Sequence, residues 1–236
     1  MIRIFVESDD HILISGAVEP IIAREKFFRK MRPKFLVRNG DIIDTLCGDV
    51  ENFNNPHIKR IIREMNTTHY ELGLGYCFYV KGNHDTDFGR KIFTHIQYVN
   101  SLDLGPIRFE HGHMIDPRKI IWDLAKNRFF KWLFKLVANK YYVARFSQLN
   151  KESAKYKDAV LLYHIAWLKR LLNSQYQAIV VGHSHTPLVW ALPYRERPNK
   201  WLIDCGDWVD SYSFAEIILD GGEVKEGRIL SWKKNF

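Results

Sequence analysis

Short β-rich apolar runs in this chain repeatedly stop at a polar motif, and that recurrence limits the fold more than any other feature of the sequence. Ile2 to Val6 ends in the acidic cluster Glu7 to Asp10, Lys34 to Val37 runs into Asn39-Gly40, and Tyr76 to Val80 is followed by Gly82. Ile107 to Glu110 and Ala178 to Val181 also end in polar motifs that contain glycine. Runs of this length and composition, bounded by turn residues, read as buried strands. Between them, Glu19 to Met31 and Asn55 to Met65 read as helices. Strands therefore alternate with helices, and polar residues gather just past strand C-termini, where α/β sheets place their sites.

After Gly182 the pattern changes. Leu188 to Leu192, Trp201 to Cys205, Ser213 to Leu219 and Val224 to Ser231 read as successive strands, with Asp220-Gly221-Gly222 as a hairpin turn. An α/β first half and an antiparallel second half predict an α/β (α+β) fold: a four-layer sandwich of two packed mixed β-sheets flanked by helices. The segment from about 117 to 174 is mostly helical in pattern and has its own composition, so it reads as a helical cap insertion within a single domain spanning 1–236.

With 236 residues, 46% hydrophobic and 26% charged, the chain can bury one substantial core, which excludes disorder, collagen-like repeats and coiled coil. It has no apolar run of eighteen residues, and Glu7, Asp9 and Asp10 interrupt the N-terminus before a signal-peptide core could form. Neither membrane spanning nor export by that route is expected. Cys47, Cys77 and Cys205 form no C-x-x-C pair, which suits a reducing compartment and a cytoplasmic address. The net charge of +8 calls for an anionic partner: nucleic acid, a phosphorylated substrate or an anionic membrane surface.

The motifs at the strand ends share one chemistry. Asp9-Asp10-His11, Gly40-Asp41-Ile42-Ile43-Asp44, Gly82-Asn83-His84-Asp85, His111-Gly112-His113 and Gly182-His183-Ser184-His185 each offer carboxylate, amide or imidazole ligands on a loop. That donor set suits borderline divalent metals such as Mn, Fe and Zn, and there are enough donors for two ions. The ordered series resembles the calcineurin-like metallophosphoesterase family, whose motifs it matches from Asp9 to His185.

The resemblance implies that Asp9, His11, Asp41 and His185 bind one metal and that Asp41, Asn83, His111 and His183 bind the other, with Asp41 shared. It implies two divalent ions, Mn being the first expectation and Fe or Zn alternatives, and attack on phosphorus by a metal-bridging hydroxide. His84 is not a ligand in the family. It is expected to stabilise phosphoryl charge or protonate the leaving oxygen, with Asp85 or Asp44 orienting its ring. His113 either faces the phosphate or packs beneath it. Arg38 and Arg90 stand near the motifs as possible phosphate contacts.

The stretches Asn39 to Asp49 and Cys205-Gly206-Asp207-Trp208-Val209-Asp210 look like the branch containing UDP-2,3-diacylglucosamine diphosphatases, although that branch commonly carries Arg where this chain has His84. It implies a pyrophosphate bond in a nucleotide-diphospho-lipid. Within the insertion, Arg118 to Arg145 holds eight basic residues and one acid. Trp122, Phe129, Trp132 and Leu136 recur at helical spacing, with Arg128, Lys131 and Lys135 on another face, a pattern that either packs on the core or meets an anionic lipid surface from the cytoplasmic side. Trp122, Arg128 and Trp132 are thus candidate substrate contacts. A nuclease or nucleotide phosphodiesterase would use the same metal site, and a non-catalytic binding protein on this fold is a further alternative.

Overall fold

The computed structural model describes residues 1–14, 17–45, 48, 50–85, 89–116, 154–194 and 197–232. The first apolar run forms strand β1 (Ile2–Glu7), in which alternation sends Ile4 and Val6 to one face and Phe5 to the other. Strand β1 pairs in parallel with β2 (Phe35–Asn39), β2 with β3 (Cys77–Val80), and β3 with β4 (Gln97–Val99). Parallel neighbours need crossovers, and helices α1 (Val18–Met31) and α2 (Pro56–Leu72) supply the first two. These helices bury Ile21, Phe28, Ile61 and Met65 against Phe5, Leu36 and Tyr79. Helix α2 begins sharply because Asn55 Oδ1 accepts the His57 amide at 2.9 Å and Pro56 occupies the first turn. The four-residue helix α3 (Gly89–Ile92) precedes β4.

The second sheet has the order β5-β6-β7-β9-β8, built from β5 (Leu102–Leu104), β6 (Ile107–Phe109), β7 (Ala178–Val181), β8 (Leu188–Tyr194) and β9 (Arg197–Asp204). A final hairpin, β10 (Ser213–Asp220) and β11 (Glu223–Ser231), returns to the first sheet and gives it the order β11-β10-β1-β2-β3-β4. The sheets enclose one core of Ile4, Val6, Val37, Val80, Phe109, Val180, Ile203 and Ile217. On the outer face of the second sheet, helix α4 (Ala154–Leu172) packs Tyr163, Trp167 and Leu171 on Ile179, Val181 and Leu202. The layers are helix, sheet, sheet, helix, as the strand pattern predicts.

Two expectations change in detail. In the second half β8 pairs with β9 and β10 with β11 antiparallel, as the pattern predicts, but the two pairs belong to different sheets, and β9 pairs in parallel with β7. Burial of β7 on both faces explains this, because a strand covered by a sheet on one side and a helix on the other reads as a continuous apolar run and favours parallel neighbours. Residues 154–172, expected within the cap insertion, instead form the outer-layer helix of the sandwich. Strands β4 and β5, of three residues each, are too short for their periodicity to show in the sequence.

Candidate metal centre

The C-terminal ends of β1, β2, β3, β6 and β7 bring the five motif loops together. Backbone bonds tie them: Asp9 N–H donates to Gly40 O and His11 N–H to Asp41 O, both at 3.0 Å, and Gly182 N–H donates to His111 O at 3.0 Å. Across the two sheets, Asn39 Nδ2 donates to Glu110 O at 3.0 Å and His183 N–H to Asp9 Oδ2 at 2.9 Å. The packing of the sheets thus registers the loops against each other.

The backbone at this junction is strained. Among the described residues, nine other than glycine have positive φ, and six of them are Asp9, His11, Asp41, Asp44, His183 and His185. Left-handed conformations cost roughly 1–2 kcal/mol for residues with a Cβ, so their concentration here marks a surrounding structure that holds them. Glycine is required where backbones close in. A Cβ on Gly82 would lie 2.1 Å from Asp41 Oδ1, and one on Gly40, at φ +91°, would lie 2.4 Å from His111 Nδ1.

Three clusters of carboxylates and imidazoles among the described residues could hold a metal ion: Asp9 with His11 and His185, Asp41 with His111 and His183, and His11 with Asp44 and His84; the first two fall within the expected ligand sets and are the two ligand groups. Asp9 Oδ1 lies 3.7 Å from His11 Nε2, 3.4 Å from His185 Nε2 and 4.0 Å from His111 Nε2, so it faces nitrogens of both groups. Asp41 Oδ2 lies 3.0 Å from His111 Nε2, while Asp41 Oδ1 accepts the His84 amide at 2.7 Å. Asp9 Oδ1, His11 Nε2, His111 Nε2 and both amide atoms of Asn83 are buried without a hydrogen-bond partner. A folded protein rarely leaves so many polar atoms unsatisfied in one place. Their convergence and their chemistry fit cations.

Each imidazole is aimed by its other nitrogen. His11 Nδ1 lies 2.7 Å from Asp44 Oδ2, His111 Nδ1 2.8 Å from Asn39 O, His183 Nε2 2.8 Å from Asp116 Oδ2, and His185 Nδ1 2.9 Å from Asp207 Oδ2. His84 is buried, and its Nδ1 lies 2.9 Å from Asp44 Oδ1. Asp44 therefore serves a ligand-group histidine and His84 together. Of the two acids expected to orient His84, Asp44 does so, whereas Asp85 accepts backbone N–H groups of Asp41 at 2.8 Å, Gly82 at 3.0 Å and Ile43 at 3.3 Å. Asp85 shapes the loops.

Electrostatics in the metal-free state follow from this crowding. Burial opposes charge on His111, but Asp41 and Asp9 outweigh it and push its pKa up to about 9. Burial likewise opposes charge on His11, and the neighbouring carboxylates of Asp44 and Asp9 hold it well above the usual histidine range. Burial would raise Asp9, but the imidazoles of His185 and His111 bring it down to about 2. Burial, reinforced by the Asp41 charge, pushes Asp85 up to about 6. Protons on His11 and His111 thus stand where cations would balance the carboxylates.

The remaining candidates divide. His113 is half-buried, with its ring 5.7 Å from that of His111 and 6.4 Å from that of His183, so it borders the second ligand group. Arg90 is exposed, 5.9 Å from the Tyr98 ring, and lines a small cavity with Tyr79 and Asp85. Arg38 is fully buried and does not face the site; it pairs with Glu7 and with Glu25 at 2.9 Å. Trp122, Arg128 and Trp132 lie outside the described residues. Asp116 was not anticipated, and Asp207 only as part of a branch-like stretch, because a carboxylate that holds an imidazole from a distant loop has no spacing signature.

A family model described as calcineurin-like phosphoesterase matches residues 2–187. The chain belongs to that family: it is a metal-dependent phosphoester hydrolase, the family uses a dinuclear divalent metal centre, and the described residues include clusters that could hold metal ions. No curated protein matches it in sequence. Among solved structures it is similar to a phosphoesterase from E. coli, at 14% identity over 96% of this chain and 98% of that one, with a TM-score of 0.45. It is similar also to Vps29 from Entamoeba histolytica complexed with zinc, at 16% identity over 98% and 99% of the two chains and a TM-score of 0.44. A third is the 5′-nucleotidase precursor from Thermus thermophilus, at 14% identity over 98% of this chain and 54% of that one, with a TM-score of 0.44.

Proposed function

We propose that the protein hydrolyses a phosphodiester or pyrophosphate bond at a pair of divalent cations, Mn in the first instance, and that its substrate is a nucleotide-diphospho-lipid similar to UDP-2,3-diacylglucosamine. The observation that carries the chemistry is the convergence of buried, unsatisfied ligand atoms from Asp9, His11, Asn83 and His111 beside His84. Asp9, His11, Asp41 and His185 would hold one cation, and Asp41, Asn83, His111 and His183 the other. When bound, the cations draw charge from the phosphoryl oxygens and lower the pKa of water at the site towards about 7. His84, held through Nδ1 by Asp44, would act on the phosphoryl group or the leaving oxygen. His113 borders the same space and is assigned to substrate.

The lipid part of the reading rests on the branch-like motifs and on the basic, aromatic composition of residues 118–145. A lipid-linked substrate would bring the protein to an anionic membrane surface on the cytoplasmic side; no helix among the described residues is long and apolar enough to cross a membrane. The test is a hydrolysis panel on Mn-loaded protein with a phosphomonoester, a soluble phosphodiester, single-stranded nucleic acid and the nucleotide-diphospho-lipid. Preference for the lipid substrate is the expected result. Preference for nucleic acid, with steep salt dependence, would replace this substrate with a nuclease reading.

A further inference from the structure

The loop Gly182–His185 carries two ligand-group imidazoles, and it is gripped from a side that the metal reading does not use. The Tyr163 hydroxyl donates to the Gly182 carbonyl at 2.9 Å and the Tyr156 hydroxyl to the Ser184 carbonyl at 2.8 Å. His164 Nε2 lies 3.0 Å from Asp204 Oδ2, and the Ser184 hydroxyl donates to that same oxygen at 2.7 Å. Tyr156, Tyr163 and His164 stand at i, i+7 and i+8 on α4, a spacing that places them along one helix face. Trp167 and Leu171 extend that face into the core and are fully buried, so the helix cannot shift without opening a cavity.

The grip falls where the backbone needs it. His183 and His185 have φ of +67° and +58°, and the bonds from α4 fix Gly182 before them and Ser184 between them. Tyr163 also reaches the neighbouring ligand loop: a Cβ on Gly112 would lie 1.9 Å from its hydroxyl, so the ring fits only because that residue is glycine. One side chain thus packs against the loops that carry His111 and His183.

We propose that Tyr156, Tyr163 and His164 are positioning residues of the metal centre, which set its cation affinity by holding His183 and His185 in their left-handed conformations. The proposal rests on the metal reading above. Without the Tyr163 hydroxyl, the Gly182 carbonyl is left buried without that partner or must rotate, and rotation re-aims His183. Without His164, Asp204 loses a neighbour that steadies the carboxylate holding Ser184.

The test is calorimetric titration of the metal-free full chain with MnCl₂, together with the thermal midpoint of the metal-free protein. Tyr163→Phe and Tyr156→Phe each remove one oxygen and keep the packing, and His164→Leu removes the contact to Asp204. Tyr163→Phe and His164→Leu should weaken Mn binding about 10- to 100-fold, the range for residues that orient ligands, and Tyr156→Phe should weaken it several-fold. His164→Gln, which returns a donor at the place of Nε2, should recover most of the affinity. If both tyrosine variants bind Mn as tightly as the unsubstituted chain, or if His164→Gln binds no better than His164→Leu, the proposal is overturned. A lowered midpoint with unchanged Mn affinity would also overturn it. Failure of the unsubstituted chain itself to bind Mn is a different outcome, which removes the metal reading together with this one.

Discussion

Asp44 connects two imidazoles with different expected tasks, and this gives separable consequences to neighbouring substitutions. His84→Ala should lower turnover about 10²- to 10⁴-fold while leaving metal content near that of the unsubstituted chain if, as proposed, His84 acts on the substrate. Asp44→Asn should lower both, since one carboxylate aims His84 and a ligand-group histidine. Steady-state rates with metal analysis separate the two, and equal loss of metal and activity in His84→Ala would make His84 a ligand. The pH response has a definite sign. His111 titrates near 6.5 when unfolded and about 9 when folded without metal, so between these values the folded chain keeps a proton that the unfolded chain has released. Its contribution to stability is complete below about 6.5 and disappears as pH rises through 9. Glu7, raised by burial to about 8 from 4.5, acts in the same direction. The denaturation midpoint of chelator-treated protein should fall from pH 6.5 to 9; a rise would contradict the assignment. Since cations displace those protons, Mn affinity should rise over the same range.

At the scale of elements, α1 does more than cover a sheet. Its Arg24 forms a bidentate pair with Asp10 at 2.7 and 2.8 Å, contacts Glu7 and Glu25, and stacks 4.5 Å from the Trp208 ring. Arg38 on β2 pairs with Glu7 and Glu25 and donates to His69 at 2.7 Å, and all these groups are fully buried. Three carboxyl groups, Glu7, Asp10 and Glu25, share two guanidinium groups next to the expected ligands Asp9 and His11. Arg24→Met should cost about 3–5 kcal/mol in urea denaturation of the metal-free protein, because it leaves buried carboxylates without their partner. A cost below about 1 kcal/mol would show that the network relaxes freely. In the sequence, Asp10 is only a charge between two expected ligands, and Arg24 is one basic residue in an amphipathic helix. Their pairing was not legible, because no local periodicity reports which distant charge a buried guanidinium meets. By contrast, the motifs that end β1, β2, β3, β6 and β7 were legible, since a buried strand and the polar turn that stops it are both local.

At the scale of the molecule, the net charge of +8 is concentrated in residues 118–145, between the His111-Gly112-His113 motif and α4. If that stretch brings the protein to a lipid substrate, reversing the charge of Arg128, Lys131 and Lys135 should lower binding to anionic vesicles and activity on the lipid, yet spare hydrolysis of a small soluble phosphodiester. Unaltered vesicle binding, or equal losses on both substrates, would remove the membrane from the proposal. The sequence alone determined the strand ends and the layered α/β class, and it named the candidate donor residues, because strands and the polar motifs that end them depend on neighbours in the chain. Only the tertiary structure decided that β10 pairs with β1, that residues 154–172 cover the second sheet, and that Asp44, Asp116 and Asp207 aim the imidazoles. These facts belong to surfaces assembled from segments far apart in the chain, where the free energy of burial and not local spacing selects the partner.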